Sequence, residues 1–169
     1  MAWYLILIGA VAAERLAEMI VAERNRAWST KQGGVEFGAG HYPLMVVLHT
    51  GLLVGCVVEP LALHRPFIPA LGMPMLVLAV AAQVLRWWCI TTLGKQWNTR
   101  VIVIPGAERV TGGPYRFIPH PNYVAVVVEG FALPLIHTAW LTALVFTLAN
   151  ILLLRKRIGV ENDALAALT

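Results

Sequence analysis

Apolar runs fill most of this chain and leave it few ways to fold. Candidate helices fall at residues 2–21, 42–58, 68–90, 122–133 and 138–154, and polar segments rich in Gly and Pro separate them. About 20 apolar residues suffice to cross the hydrocarbon of a bilayer. Hydrophobic residues make up 59% of the chain and charged residues 13%, about half the charged share of a soluble domain. The pattern predicts an all-α integral membrane fold with about five transmembrane helices, in a single domain over residues 1–169. The first run continues as a polar helix towards Trp28. The fourth is short for a full span and is expected to form a hairpin with the fifth, broken at Pro134, because proline cannot continue a helix ladder.

The basic residues give this layout a direction. Arg24, Arg26 and Lys31 follow the first run, Lys95, Arg100, Arg109 and Arg116 the third, and Arg155, Lys156 and Arg157 the fifth. The opposite side carries Arg65 alone. By the positive-inside rule the odd-numbered segments end in the cytoplasm and the N-terminus lies outside, in what is expected to be a bacterial plasma membrane. Met1-Ala2-Trp3-Tyr4 lacks the basic region of a signal peptide, so the first run is expected to stay as a helix. Cys56 and Cys89 sit inside apolar runs and read as packing residues. No His, Cys or carboxylate set stands at metal-ligand spacing, so no metal is expected. No nucleic acid is expected among the partners.

The long polar stretch after the third run contains the residues with chemistry to offer. Val101-Ile102-Val103-Ile104 is a short β-like run ended by Pro105-Gly106. Further on, Gly113-Pro114-Tyr115-Arg116-Phe117-Ile118-Pro119-His120-Pro121-Asn122-Tyr123 places one histidine between two prolines. Pro121 and Asn122 suit the first turn of a helix, whose free N–H groups and partial positive charge favour an anion. By itself the segment reads either as a ligand clamp or as a capping loop with an interfacial histidine. Gly33–Tyr42 is glycine-rich but lacks Gly-x-Gly-x-x-Gly, and reads as a flexible turn. His41 and His49 read as packing or interfacial residues.

Ionisable residues inside the apolar runs are costly and need partners or a wet cavity. Arg86 in the third run and Glu129 in the fourth read either as an interhelical pair or as site residues. Glu14, Arg15 and Glu18 read as helix–helix polar contacts. In Lys95-Gln96-Trp97-Asn98-Thr99-Arg100, the arginine either anchors the interface or steers an anionic oxygen.

Gly113-Pro114-Tyr115-Arg116, His120-Pro121 and Tyr123 together resemble the core signature of the isoprenylcysteine carboxyl methyltransferase family. Arg157 followed by Glu161 and Leu165 resembles a second feature of that family, so the likeness runs from about Leu85 to Leu165. It implies a membrane methyltransferase using S-adenosylmethionine, with its cofactor site on the cytoplasmic face. Carried over position by position, Tyr115, Arg116, His120, Pro121, Tyr123, Arg157 and Glu161 would bind the cofactor. An acceptor that is ionised needs its charge stabilised, a role that Arg100 and Arg86 are expected to fill. Two positions depart from the signature. Pro119 stands where the family has arginine before the histidine, and Asn162 stands where it has a second glutamate.

His-Pro-Asn-Tyr followed by Glu129, with Gly94, Trp97 and Arg100 upstream, is most similar to bacterial members found beside polyketide synthases for alkylpyrones and alkylresorcinols. The acceptor implied is lipophilic, either a prenylcysteine-type carboxylate or a polyketide enol or phenol, drawn from the membrane lipid. Two other readings remain at this point: an NADPH-dependent enzyme of the sterol-reductase type, and a non-enzymatic membrane scaffold.

Overall fold

The computed structural model describes residues 1–168. Five α-helices run in chain order: α1 Ala2–Lys31, α2 Tyr42–Ala62, α3 Pro69–Leu93, α4 Pro121–Leu135 and α5 Trp140–Leu168. Two helical stretches among the described residues, Ala39–Ala62 and Pro69–Gln96, are long and apolar enough to cross a membrane. The 15 residues of α4 amount to about 22 Å. Helices α1 and α5 are long, but charged residues interrupt their apolar stretches.

The expectation of an all-helical chain needs one amendment. Val35–Phe37 forms a strand, β1, and Val101–Val103 forms β2. They pair antiparallel, with Val35 opposite Val103 and Phe37 opposite Val101. The glycine-rich segment expected to be a flexible turn therefore holds half of a ribbon. Its alternating apolar residues are matched by the β-like run near residue 101, across a separation that no local pattern reveals.

The α4–α5 connection also differs from expectation. Pro134 lies inside α4 rather than at its break. The carbonyl of Pro134 accepts bonds from the N–H groups of His137 and Ala139, and Thr138 takes a positive φ of 54° to close the turn. Lacking an N–H, Pro134 leaves the Gly130 carbonyl without its helical donor one turn before α4 ends. The Leu133 carbonyl is satisfied by the Tyr4 hydroxyl at 3.0 Å. After the turn, α5 continues through Arg157 and Glu161 without interruption.

The main core joins α1, α2, α4 and α5 through Tyr4, Ile8, Leu52, Cys56, Leu133, Ile136 and Phe146. Glu59 on α2 meets the start of α5 and accepts from the N–H groups of Leu141 (3.1 Å) and Thr142 (2.7 Å). It thereby covers two donors that a helix N-terminus leaves open.

Arg86 and Glu129 do pair between helices as expected, at 4.0 Å, but each has its closer partner on α1. Arg86 makes two bonds to Glu18 of α1, at 2.7 and 2.8 Å. Glu129 is held by Arg15 at 3.0 Å and lies 4.0 Å from Arg86. Arg15 also bonds Glu18 at 2.6 Å and Gln83 at 2.9 Å. The buried charges thus tie α1, α3 and α4 together, as intramembrane ionisable groups require.

Candidate functional site

One end of the bundle gathers the last turns of α1, α3 and α5, the first turn of α4 and strand β2. An open cleft there encloses about 1100 Å3, space continuous with solvent included.

Two segments far apart in sequence meet on its wall. The Tyr123 hydroxyl donates to Glu161 Oε2 at 2.5 Å, and Arg157 Nε donates to the Tyr123 oxygen at 3.0 Å. Arg157 is buried, and its other nitrogens donate to the Thr99 carbonyl and, at 2.7 Å, to Met45 Sδ. His120 lies against Tyr123, with ring centroids 5.5 Å apart and planes 27° apart. His120 Nε2 meets Asn162 Oδ1 at 3.1 Å, and Nδ1 faces Glu161 Oε1 at 3.6 Å.

Local geometry explains why these groups converge. Pro121 opens α4, where its missing N–H is not needed, and His120 immediately precedes it. Tyr123 falls in the first turn of α4. Arg157 and Glu161 are four residues apart on α5 and share one face. Gly113 has a φ of 54°, and a Cβ there would lie 3.1 Å from Trp88 Nε1. Glycine therefore lets the loop turn close against α3.

The electrostatics favour an ionised pair. Attraction to the Glu161 carboxylate raises the His120 value above the usual histidine range, outweighing partial burial. Burial pushes Glu161 upward, but His120, Tyr123 and Arg157 together pull it below the usual carboxylate range.

The cleft is lined by Tyr115, His120, Tyr123, Arg157, Glu161 and Arg100 among the residues singled out in the sequence. Three others lie elsewhere. The Arg116 guanidinium sits over the Phe117 ring at 5.0 Å. Pro121 is buried at the start of α4. Arg86 is in the helix network with Glu18. Pro119, the departure from the family signature, does line the cleft. Asn162, the other departure, is bonded to the His120 ring.

Sequence reading missed several groups. Arg109 lines the cleft within electrostatic reach of His120. Trp97 and Asn122 also line it, and the indole Nε1 and the amide Oδ1 are buried without a hydrogen-bond partner. Buried polar atoms are rarely left unpaired, so this donor and acceptor suit a polar ligand. Arg100 donates to Glu36 at 2.7 Å and lies 4.0 Å over the Tyr42 ring. No cluster able to hold a metal ion occurs among the described residues.

Known proteins resemble this chain in sequence and in fold. The sequence model of the isoprenylcysteine carboxyl methyltransferase (ICMT) family matches residues 75–167. The uncharacterized protein YpbQ of Bacillus subtilis (strain 168) is 39% identical over 166 residues, covering 98% of this chain and 96% of that protein. Among solved structures, the eukaryotic intramembrane Ras methyltransferase ICMT, determined without a monobody, superposes with a TM-score of 0.58 at 25% identity. That alignment covers 75% of this chain but 47% of the eukaryotic one, so this chain spans about half of that protein's length. The matched segment contains the whole of α4, nearly all of α5 and most of α3, and with them the motifs His120–Tyr123 and Arg157–Glu161; the chain belongs to the isoprenylcysteine carboxyl methyltransferase family.

Proposed function

We propose that this protein is an S-adenosylmethionine-dependent O-methyltransferase acting on a lipophilic acceptor at the membrane. The observation that carries this reading is the meeting of His120 and Tyr123 with Arg157 and Glu161 in one bonded cluster on a cleft wall. The unpartnered Trp97 Nε1 and Asn122 Oδ1 beside that cluster fit a ligand rich in donors and acceptors. Bound there, S-adenosylmethionine would supply an electrophilic methyl group on a sulfonium sulfur. Glu161 and His120 would orient its polar ends, with Tyr123 and Arg157 fixing Glu161. Arg109 would face the cofactor carboxylate and so fill the role that Pro119 leaves vacant. Tyr115 would close the wall beneath.

Arg100, at the β2 side of the cleft, would meet the acceptor head. The acceptor tail would remain in the bilayer. Alignment of acceptor and methyl group supplies the catalysis, since well-oriented intramolecular reactions gain about 7–11 kcal/mol. The five helices would all cross the bilayer, with α1 starting outside and the cleft in the cytoplasm, as the basic residues at that end favour.

The test is thermal stabilisation of the purified protein by S-adenosylhomocysteine and by NADP, followed by transfer of a labelled methyl group to a membrane lipid extract. Stabilisation by S-adenosylhomocysteine and label in the lipid fraction are expected. Stabilisation by NADP alone would overturn the reading in favour of a reductase.

A further inference from the structure

We infer that Glu108, in the loop after β2, is the general base of methyl transfer, its carboxylate taking the proton of an acceptor that arrives with its hydroxyl protonated. This rests on the O-methyl transfer proposed above and assigns the proton that such a transfer releases.

A base needs a free lone pair within reach of the acceptor, and the other titratable side chains on the cleft wall do not offer one. Arg100, Arg109 and Arg157 keep their protons, as guanidinium groups do. Tyr123 gives its own proton to Glu161 Oε2 at 2.5 Å. Burial raises Tyr115 above the ordinary tyrosine range, so neither tyrosine supplies a phenolate. His120 faces Asn162 Oδ1 at 3.1 Å with one ring nitrogen and Glu161 Oε1 at 3.6 Å with the other. The bond to Glu161 raises the histidine above 6.5, and the ring acts as a donor. Glu161 has both oxygens turned to these partners. Glu108 also lines the cleft. Among the described residues it makes no hydrogen bond and no ion pair, so both of its oxygens are open to a ligand.

The fold puts this carboxylate in a suitable place. The Ala107 N–H closes a turn onto the Ile104 carbonyl at 3.1 Å, with Gly106 at a φ of 71° that glycine adopts without strain. After the turn the chain keeps to the cleft, and Ala107, Glu108, Arg109 and Val110 all line it. Arg100, proposed to meet the acceptor head, directly precedes β2. Arg109 lies within electrostatic reach of His120, on the cofactor side. In chain order Glu108 therefore stands between the strand of the acceptor side and the arginine of the cofactor side. It is exposed, so a proton it accepts passes on to water. As the acceptor oxygen bonds to the methyl carbon, its O–H bond breaks and the proton moves to Glu108. The C–S bond breaks, and its electron pair returns to the sulfonium sulfur. The products are a methyl ether, a neutral thioether and a protonated Glu108. An acceptor that arrives as a carboxylate has no proton to lose and makes no use of this residue.

The test uses the full-length protein and three probes: pentadecylphenol, its ring-nitrated analogue, whose ionisation is read by absorbance, and the carboxylate N-acetyl-S-farnesylcysteine. The nitrated probe is first titrated in the complex with S-adenosylhomocysteine, where no methyl group can move. A carboxylate beside the hydroxyl disfavours a second negative charge, so the bound probe should ionise about one pH unit higher in wild type than in Glu108→Gln. With S-adenosylmethionine, Glu108→Gln should lower kcat for pentadecylphenol about a hundredfold, the lower end of what a general base contributes. Glu108→Asp should keep part of that activity. Turnover of the carboxylate probe, and of the nitrated probe at a pH where the titration shows it ionised, should match wild type. Unchanged S-adenosylhomocysteine affinity shows that the variant folds; should Glu108→Gln lose it, Glu108→Ser is read in its place. An identical titration in wild type and variant, or undiminished turnover of pentadecylphenol, gives the proton to water and overturns this inference alone. So does a wild type that methylates only the carboxylate probe. Absence of S-adenosylhomocysteine binding to wild type overturns it together with the proposed function.

Discussion

His120 has an oxygen facing each ring nitrogen, Asn162 Oδ1 on one side and Glu161 Oε1 on the other. An imidazole can donate from both nitrogens only when it is charged. Because its folded value is raised above the ordinary 6.5, its stabilising effect is complete below 6.5 and fades as pH rises through the raised value. Glu161 is shifted down from 4.5, so its effect is complete above 4.5 and fades as pH falls through the lowered value. Both effects coexist between those limits. The difference in melting temperature between wild type and His120→Gln should therefore be largest at about pH 5–6 and shrink in alkaline buffer. A difference that grows with pH would show that the ring is neutral in the folded protein. Replacing Glu161 by Ala should weaken S-adenosylhomocysteine binding about tenfold or more, the scale of a lost charge-assisted bond, as calorimetric titration would read. Arg100→Ala should keep that affinity and lose methyl transfer; loss of cofactor binding instead would assign Arg100 to the cofactor clamp. At this scale the sequence was informative wherever a motif is contiguous. His120, Tyr123, Arg157 and Glu161 could be picked out before any fold was known. The pairs Arg100–Glu36 and Arg157–Met45 could not, because nothing local to Glu36 or Met45 records which distant side chain each one meets.

Helices α1, α3 and α4 are joined by charges, and that join separates structural roles from catalytic ones. Helical spacing placed Arg15 and Glu18 on one stretch of α1, and apolar context flagged Arg86 and Glu129 as needing partners. Periodicity states which residues share a helix face but not which helix that face meets, so Glu18 was missed as the partner of Arg86. The same limit hid the ribbon: Val35–Phe37 looks like a loop until β2 lies beside it. Removing one member of a buried ion pair leaves the other charge uncompensated, at a cost of about 3–5 kcal/mol. Arg86→Met should therefore destabilise strongly, and adding Glu18→Leu should recover much of the loss. Thermal unfolding of the two single variants and the double would measure the coupling. Equal stability of all three with selective loss of turnover would return Arg86 to the catalytic role that its sequence context allowed.

The arrangement of the whole molecule follows from connections that alternate ends. The short turns after α2 and α4 lie at one end, while the ribbon, the long segment between α3 and α4, and the end of α5 gather at the other. Every group of the cleft sits at this second end, which is why motifs 34–42 residues apart can touch. The same end carries nearly all the Lys and Arg. In a membrane the positive-inside rule would place this end in the cytoplasm, where the proposed soluble cofactor would reach the cleft directly. If α4, about 22 Å long, did not cross the bilayer, α5 would have to return the chain to the other side. Glu161 could then not remain in the cytoplasm with Arg100. Cysteine labelling separates the two cases cleanly, because the native Cys56 and Cys89 are buried, whereas Ala2 and Ala167 are exposed. In intact cells an impermeant maleimide should modify Ala2→Cys and spare Ala167→Cys until the membrane is opened. Modification of both positions before opening would remove the odd number of crossings, and with it the cytoplasmic cleft.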